Sequence, residues 1–296
     1  MSAIELLAAS PALLIGVCLV LGLLVGSFLN VVIYRLPVML EREWREQCAE
    51  MPSSAPPPAA EGALATVGTE APAGRPEPFN LIVPRSACPR CRAPITAWQN
   101  IPLLSFLLLR GRCASCGAPI SARYPLVEAL TGALSALIAW KFGFAWPVLA
   151  ALLLTWFLIA LTFIDIDHQL LPDSLTLPLL WLGLFLSLWS SQAGEAAVPV
   201  DTRSSLIGAM AGYASLWSVY HLFRLLTGKD GMGYGDFKLF AALTGALVGL
   251  GLIVLRRHDR AAPIPFGPFL AGAGWLMLMF GRPLVGSYLH LFAAPP

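Results

Sequence analysis

Charge is scarce in this sequence. Asp, Glu, Lys and Arg make up 12% of its 296 residues, about half the ~25% of ordinary soluble domains. Apolar residues reach 57% and the mean hydropathy is +0.72, which excludes a water-soluble enzyme and implies an all-α polytopic membrane protein. Catalytic histidine patterns are also missing. There are four histidines, but no His-Glu-x-x-His, Ser-His-Asp or Cys-His arrangement, so zinc-protease and nucleophile-triad chemistry have no candidates. His221 and His290 sit in apolar context and read as packing or interfacial residues. The first ten residues carry Glu5 and no basic residue, so no cleavable signal peptide is expected. A net charge of +2 says little about partners, and nucleic acid is not among those expected. No S-adenosylmethionine motif is visible.

Long apolar runs are what the chain has. A span needs about 20 apolar residues, and seven are expected: Leu13–Ile33, Leu126–Trp140, Pro147–Ile164, Leu175–Trp189, Leu206–Leu226, Leu239–Leu255 and Phe266–Phe280. The tail Leu284–Phe292 is too short to span alone. The division this suggests is a first transmembrane helix (1–34), a cytoplasmic region (35–123) and a helical core (124–296). Within the second part, 51–78 is rich in proline and alanine, as expected of an extended insertion without a core. Ten of the nineteen Lys and Arg residues lie between Arg35 and Arg123, which places that region in the cytoplasm by the positive-inside tendency. Counting spans forward puts Asp165–Asp173 and Lys229–Asp236 on the same face. The basic run Arg256–Arg260 then falls outside, as it would if one spanning segment were absent or re-entrant.

Carboxylates beside apolar spans are costly and mark function. Two groups stand out, Asp165-Ile-Asp167-His-Gln-Leu-Leu-Pro-Asp173 and Gly231-Met-Gly-Tyr-Gly-Asp236. On a helix Asp165 and Asp167 point about 200° apart, so they serve different faces. Asp173 after Pro172 suits a helix start, and His168 reads as an interfacial polar group. The glycines before Asp236 permit close backbone approach, although an ordinary turn with a capping aspartate has the same look. If two aspartates from the two groups converge on one face, they share a proton, and one can act as base on a water while the other polarises a carbonyl.

Four of the six cysteines form two knuckles, Cys88-Pro-Arg-Cys91 and Cys113-Ala-Ser-Cys116, with 21 residues between them. Matched Cys-x-x-Cys pairs at this spacing indicate a structural tetrahedral zinc site, with redox dithiols as the weaker alternative. Cys18 and Cys48 read as packing and surface residues.

Taken together, these motifs resemble the type IV prepilin peptidases. The resemblance covers almost the whole chain: Gly26-Ser-Phe-Leu-Asn-Val-Val-Ile-Tyr-Arg-Leu-Pro37, both cysteine knuckles, Arg123-Tyr-Pro-Leu-Val-Glu128, the Asp165 and Asp236 motifs, and Pro263-Ile-Pro-Phe-Gly-Pro268. It implies a bifunctional enzyme of the bacterial inner membrane. Asp165 and Asp236 would cleave the basic leader of prepilins and type II secretion pseudopilins after a glycine, on the cytoplasmic side. The new N-terminal residue would then be methylated with S-adenosylmethionine. Zn2+ on Cys88, Cys91, Cys113 and Cys116 would be tied to methylation more than to cleavage. Between Asp236 and Pro263 the chain is shorter than the resemblance implies by about one span. A carboxylate-based transporter, or a non-catalytic assembly partner of the same family, is the alternative.

Overall fold

The computed structural model describes residues 2–50, 79–193, 202–227 and 267–292. Asp236, the run Leu239–Leu255, the basic run Arg256–Arg260 and the insertion 51–78 lie outside the described residues. Those described are helical, with no strand longer than an isolated bridge. The helices are α1 (Ala3–Ala9), α2 (Pro11–Glu50), α3 (Leu104–Leu108), α4 (Arg123–Phe142), α5 (Trp146–His168), α6 (Asp173–Ala193), α7 (Thr202–Thr227) and α8 (Gly267–Phe292). Three of them, within α2, α4 and α5, are long and apolar enough to cross a membrane. The chain is an integral membrane protein. Of the other apolar runs, α6, α7 and α8 hold one each as helix.

Two helices run further than their apolar patterns. At 40 residues and 1.5 Å per residue, α2 is about 60 Å long, twice the ~30 Å of a hydrocarbon core. It continues through Pro37, which lacks the N–H that would bond back one turn. Arg35 holds this stretch. Its buried guanidinium donates to the carbonyls of Asn80 at 2.8 Å and Pro84 at 2.6 Å, fastening the helix to the chain that leads into the first cysteine knuckle. Phe79 lies under both Arg35 and Arg42. Likewise α8 takes in the run Phe266–Phe280 from Gly267 onward and the short tail as one helix through Pro283.

Among the described residues, α2 packs most extensively on α4, and small residues make it possible. Gly22 and Gly26 are spaced as in a GxxxG face. A Cβ on Gly22 would come within 2.5 Å of the Ser135 hydroxyl, and one on Gly26 within 2.8 Å of the Glu128 Cα. Gly132 meets Leu23 from the other side. Around this pair, α5 is the central helix. Its buried Ile159, Ala160 and Ile164 pack with Leu29, Ile33 and Val127. Further along, Leu152 packs with Leu14, Cys18 and Ile138, so Cys18 is a packing residue. Leu158 and Leu161 join Leu179 of α6 and Leu270 of α8.

Buried hydroxyls are satisfied inside the helices: Thr131, Ser135 and Thr155 each donate to the carbonyl four residues back at 2.7 Å. They also bridge helices. The indole N–H of Trp156 donates to Ser135 at 3.0 Å, and that of Trp275 to Thr155 at 3.2 Å. Such interhelical polar contacts stabilise bundles in lipid by about 0.6 kcal/mol each.

Candidate active site and metal centre

Asp165 and Asp167 stand on the last turn of α5, which ends at Gln169 with a left-handed φ of 51°. The 200° between them has the expected result. Asp165 is buried at 4% exposure, while Asp167 points outward and forms an ion pair with Arg123 at the start of α4. The Arg123 guanidinium also lies over the Phe163 ring, 5.4 Å from its centre.

A carboxylate at the C-terminus of its own helix meets the negative end of the dipole, an unfavourable position. Each aspartate has a compensating partner. For Asp167 it is Arg123. For Asp165 it is the N-terminus of α8, where the backbone N–H of Gly267 donates to Asp165 Oδ2 at 2.8 Å across 102 residues of sequence. This approach requires glycine, because a Cβ at position 267 would stand 2.9 Å from the same oxygen. Gly267 and Arg123 both lie in motifs visible in the sequence, Pro263–Pro268 and Arg123–Glu128, but nothing local reveals which aspartate each one serves.

Asp173 opens α6 as its first residue, in the turn where an acidic side chain suits the dipole. His168 is exposed. His221 packs among aromatics, its ring 4.1 Å from Trp217 and 5.2 Å from Tyr220. Among the described residues, Asp165 is thus the buried acid at a helix end held by a backbone donor from another helix.

The four cysteines converge as the spacing predicts. The Sγ atoms of Cys88, Cys91, Cys113 and Cys116 all lie within 4.8 Å of one another, with Cys88 and Cys116 3.9 Å apart. Four sulfurs at about 2.3 Å from a tetrahedral zinc would be about 3.8 Å apart, so the cluster has the size and donor set for that ion.

The two knuckles are one structure used twice, offset by 25 positions. Cys88 N–H donates to Ala93 O at 3.0 Å and Cys113 N–H to Ala118 O at 2.8 Å. Arg92 N–H donates to Cys88 O and Gly117 N–H to Cys113 O, both at 2.9 Å. Each loop closes on an isolated bridge, Ala87 with Pro94 and Arg112 with Pro119. Arg92 (φ 58°) and Gly117 (φ 67°) occupy the same left-handed position.

The loops aim backbone amides at sulfur. N–H groups of Cys91 and Arg90 draw the Cys88 thiol down to about 6, and those of Cys116 and Ser115 lower Cys113. Cys91 receives the Ala93 amide, which lowers it, yet burial and the neighbouring sulfurs push it up to about 11. A cluster in which thiolates crowd together in this way is suited to a cation that neutralises them.

Comparison with known proteins agrees with this architecture. The family described as Bacterial Peptidase A24 N-terminal domain matches residues 20–142, and the Type IV leader peptidase family matches residues 152–280. A protein of Aeromonas hydrophila named prepilin leader peptidase/N-methyltransferase is 51% identical, over 98% of each chain. Proteins of the same name from Stutzerimonas stutzeri and Neisseria gonorrhoeae are 47% and 48% identical, over 98% and 87% of this chain. The first of these alignments runs over 307 positions, more than the 296 residues of this chain, so that relative carries positions this chain lacks. No solved structure matches the chain. With both halves matched and near-full-length relatives at about half identity, the chain belongs to the type IV leader peptidase family.

Proposed function

We propose that this protein cleaves the leader peptides of type IV prepilins and type II secretion pseudopilins at the cytoplasmic face of the bacterial inner membrane, and then methylates the exposed N-terminal residue. The observation that carries the peptidase reading is Asp165, an acid kept buried at the end of a membrane helix and oriented by the Gly267 amide. Asp236 is its proposed partner. One carboxylate takes a proton from the attacking water while the other, protonated, polarises the scissile carbonyl; the two roles require a pair sharing one proton. Full-length relatives bearing the peptidase and methyltransferase name support the overall assignment.

Cys88, Cys91, Cys113 and Cys116 would hold Zn2+, which when bound cross-links the two knuckles and orders the region 35–123. S-adenosylmethionine is the proposed methyl donor, and the parts 1–34, 35–123 and 124–296 are the proposed division of labour: membrane entry, zinc-ordered cytoplasmic region and peptidase core. A transporter would place its acids within the bilayer, whereas Asp165 stands on the last turn of α5.

The decisive experiment is leader cleavage of a cognate prepilin in membranes, followed by mass measurement of the mature N-terminus. Asp165→Asn and Asp236→Asn should each abolish cleavage, while Asp167→Asn and Asp173→Asn should cost less. Full cleavage by either of the first two variants would overturn the catalytic pair.

A further inference from the structure

Helix α3 is a single short turn of helix with an unusual surface. Leu104, Leu107 and Leu108 are 49%, 70% and 73% exposed, and their i, i+3, i+4 spacing puts them on one face. Phe106 turns the other way, against Gly111. Trp98, just before this segment, is 81% exposed. Arg110 and Arg112, just after it, are exposed as well. Three leucines facing water would be a liability, so the position of α3 relative to the bilayer matters.

That position is set by a hydrogen bond. The N–H of Leu103, the residue before α3, donates to Glu128 Oε2 at 2.8 Å. Glu128 is buried in α4, five residues past Arg123, where that candidate span begins. Five residues of helix are about 7–8 Å, within the ~5–10 Å depth at which interfacial helices lie. The lipid side of α4 at this level is apolar too, with Leu126 and Leu130 exposed.

We propose that α3 is an interfacial membrane anchor. Leu104, Leu107 and Leu108 enter the acyl-chain boundary of the leaflet beside α4, and Trp98, Arg110 and Arg112 bracket them at the headgroups, where aromatic and basic side chains are favoured. The occupant of this face is lipid. The anchor ties the region that carries the cysteine knuckles to the membrane surface next to the start of α4, and it stands whether or not the peptidase reading holds.

The test uses the full-length protein reconstituted in vesicles of phosphatidylethanolamine and phosphatidylglycerol. A minor fraction of the phospholipid carries a diazirine on the acyl chain near the glycerol. After irradiation, labelled peptides are read by mass spectrometry. The peptide containing residues 104–108 should be labelled within about threefold of the peptide containing Leu126 and Leu130, as expected for side chains at interfacial depth. Labelling no higher than that of the Glu41–Glu50 stretch of α2, which projects beyond the bilayer, would overturn the anchor. So would capture of α3 by another protein chain in place of lipid.

Discussion

At the scale of single residues, function and strain meet at three glycine or glycine-like positions. Gly267 lets the amide at the start of α8 reach Asp165 at 2.8 Å. Gly267→Ala places a Cβ 2.9 Å from that oxygen and, with Asp165 in its proposed catalytic role, should slow leader cleavage by tenfold or more, since displacing a reacting group by about 1 Å can cost ~100-fold. Cleavage kinetics on protein that still purifies as a folded species would check this. In the cysteine knuckles, Gly117 stands in the left-handed region with open space where its Cβ would be. Gly117→Ala should therefore destabilise its loop only through the backbone, by about 1 kcal/mol, while retaining the metal. A zinc titration of the two proteins would show it as about a fivefold weaker affinity, roughly what 1 kcal/mol corresponds to. Arg92, in the matching position of the first knuckle, already bears that strain at φ 58°. Sequence periodicity separated Asp165 from Asp167 by angle, but which of them faces inward was not readable from it. That choice depends on α8, 102 residues away, because a helix presents both faces equally until another element covers one.

At the scale of elements, α2 and α4 form the pair against which α5, the helix carrying Asp165, packs, and their contact depends on the absence of side chains. Gly22→Leu inserts four carbons where Ser135 stands 2.5 Å from a single Cβ. It should force the pair apart and destabilise the fold by more than the ~1–3 kcal/mol typical of an overpacked core. A clear drop in thermal unfolding temperature in detergent, with Gly16→Leu as a control where nothing lies within 4 Å of the added Cβ, is the expected result. Among the described residues, element types were largely legible: the apolar runs announced the helices, and paired Cys-x-x-Cys sequences announced the knuckles. Element lengths were less so. Proline normally punctuates a helix, yet α2 continues through Pro37, and Arg35, two residues earlier, is anchored to carbonyls 45 and 49 residues downstream. Pro283 within α8 is a second case. In both, a local stop signal appears in the sequence, and the structure carries the helix past it.

At the scale of the whole molecule, the membrane helices and the cysteine region are joined at a few fasteners. Arg35 holds the entry to the first knuckle and Glu128 holds Leu103, while the helices are tied to one another by Asn30 of α2, which donates to the Tyr124 carbonyl of α4 at 3.1 Å, and by Arg123 of α4, which pairs with Asp167 of α5. Because each acts separately from the sulfur cluster, losing the metal should loosen the cysteine region without dismantling the bundle. Cys88→Ser is expected to lose bound zinc and N-methylation yet keep part of the leader cleavage, measured by metal analysis and by the mass of the processed pilin on one preparation. Absence of zinc from the purified wild-type protein would contradict this assignment.

By itself, the sequence determined the solvent this protein occupies, the apolar runs that are helices among the described residues, the four thiols that converge into a cluster able to hold a metal and, through resemblance, the family. Those properties are carried by composition and by spacings of a few residues, within which the chemistry is complete. Only the tertiary structure decided that Asp165 is buried and Asp167 paired, that a backbone amide of α8 holds the buried carboxylate, and that α3 lies level with the first turns of α4. These depend on groups brought together from distant parts of the chain, and helix packing, not local periodicity, sets which of them meet.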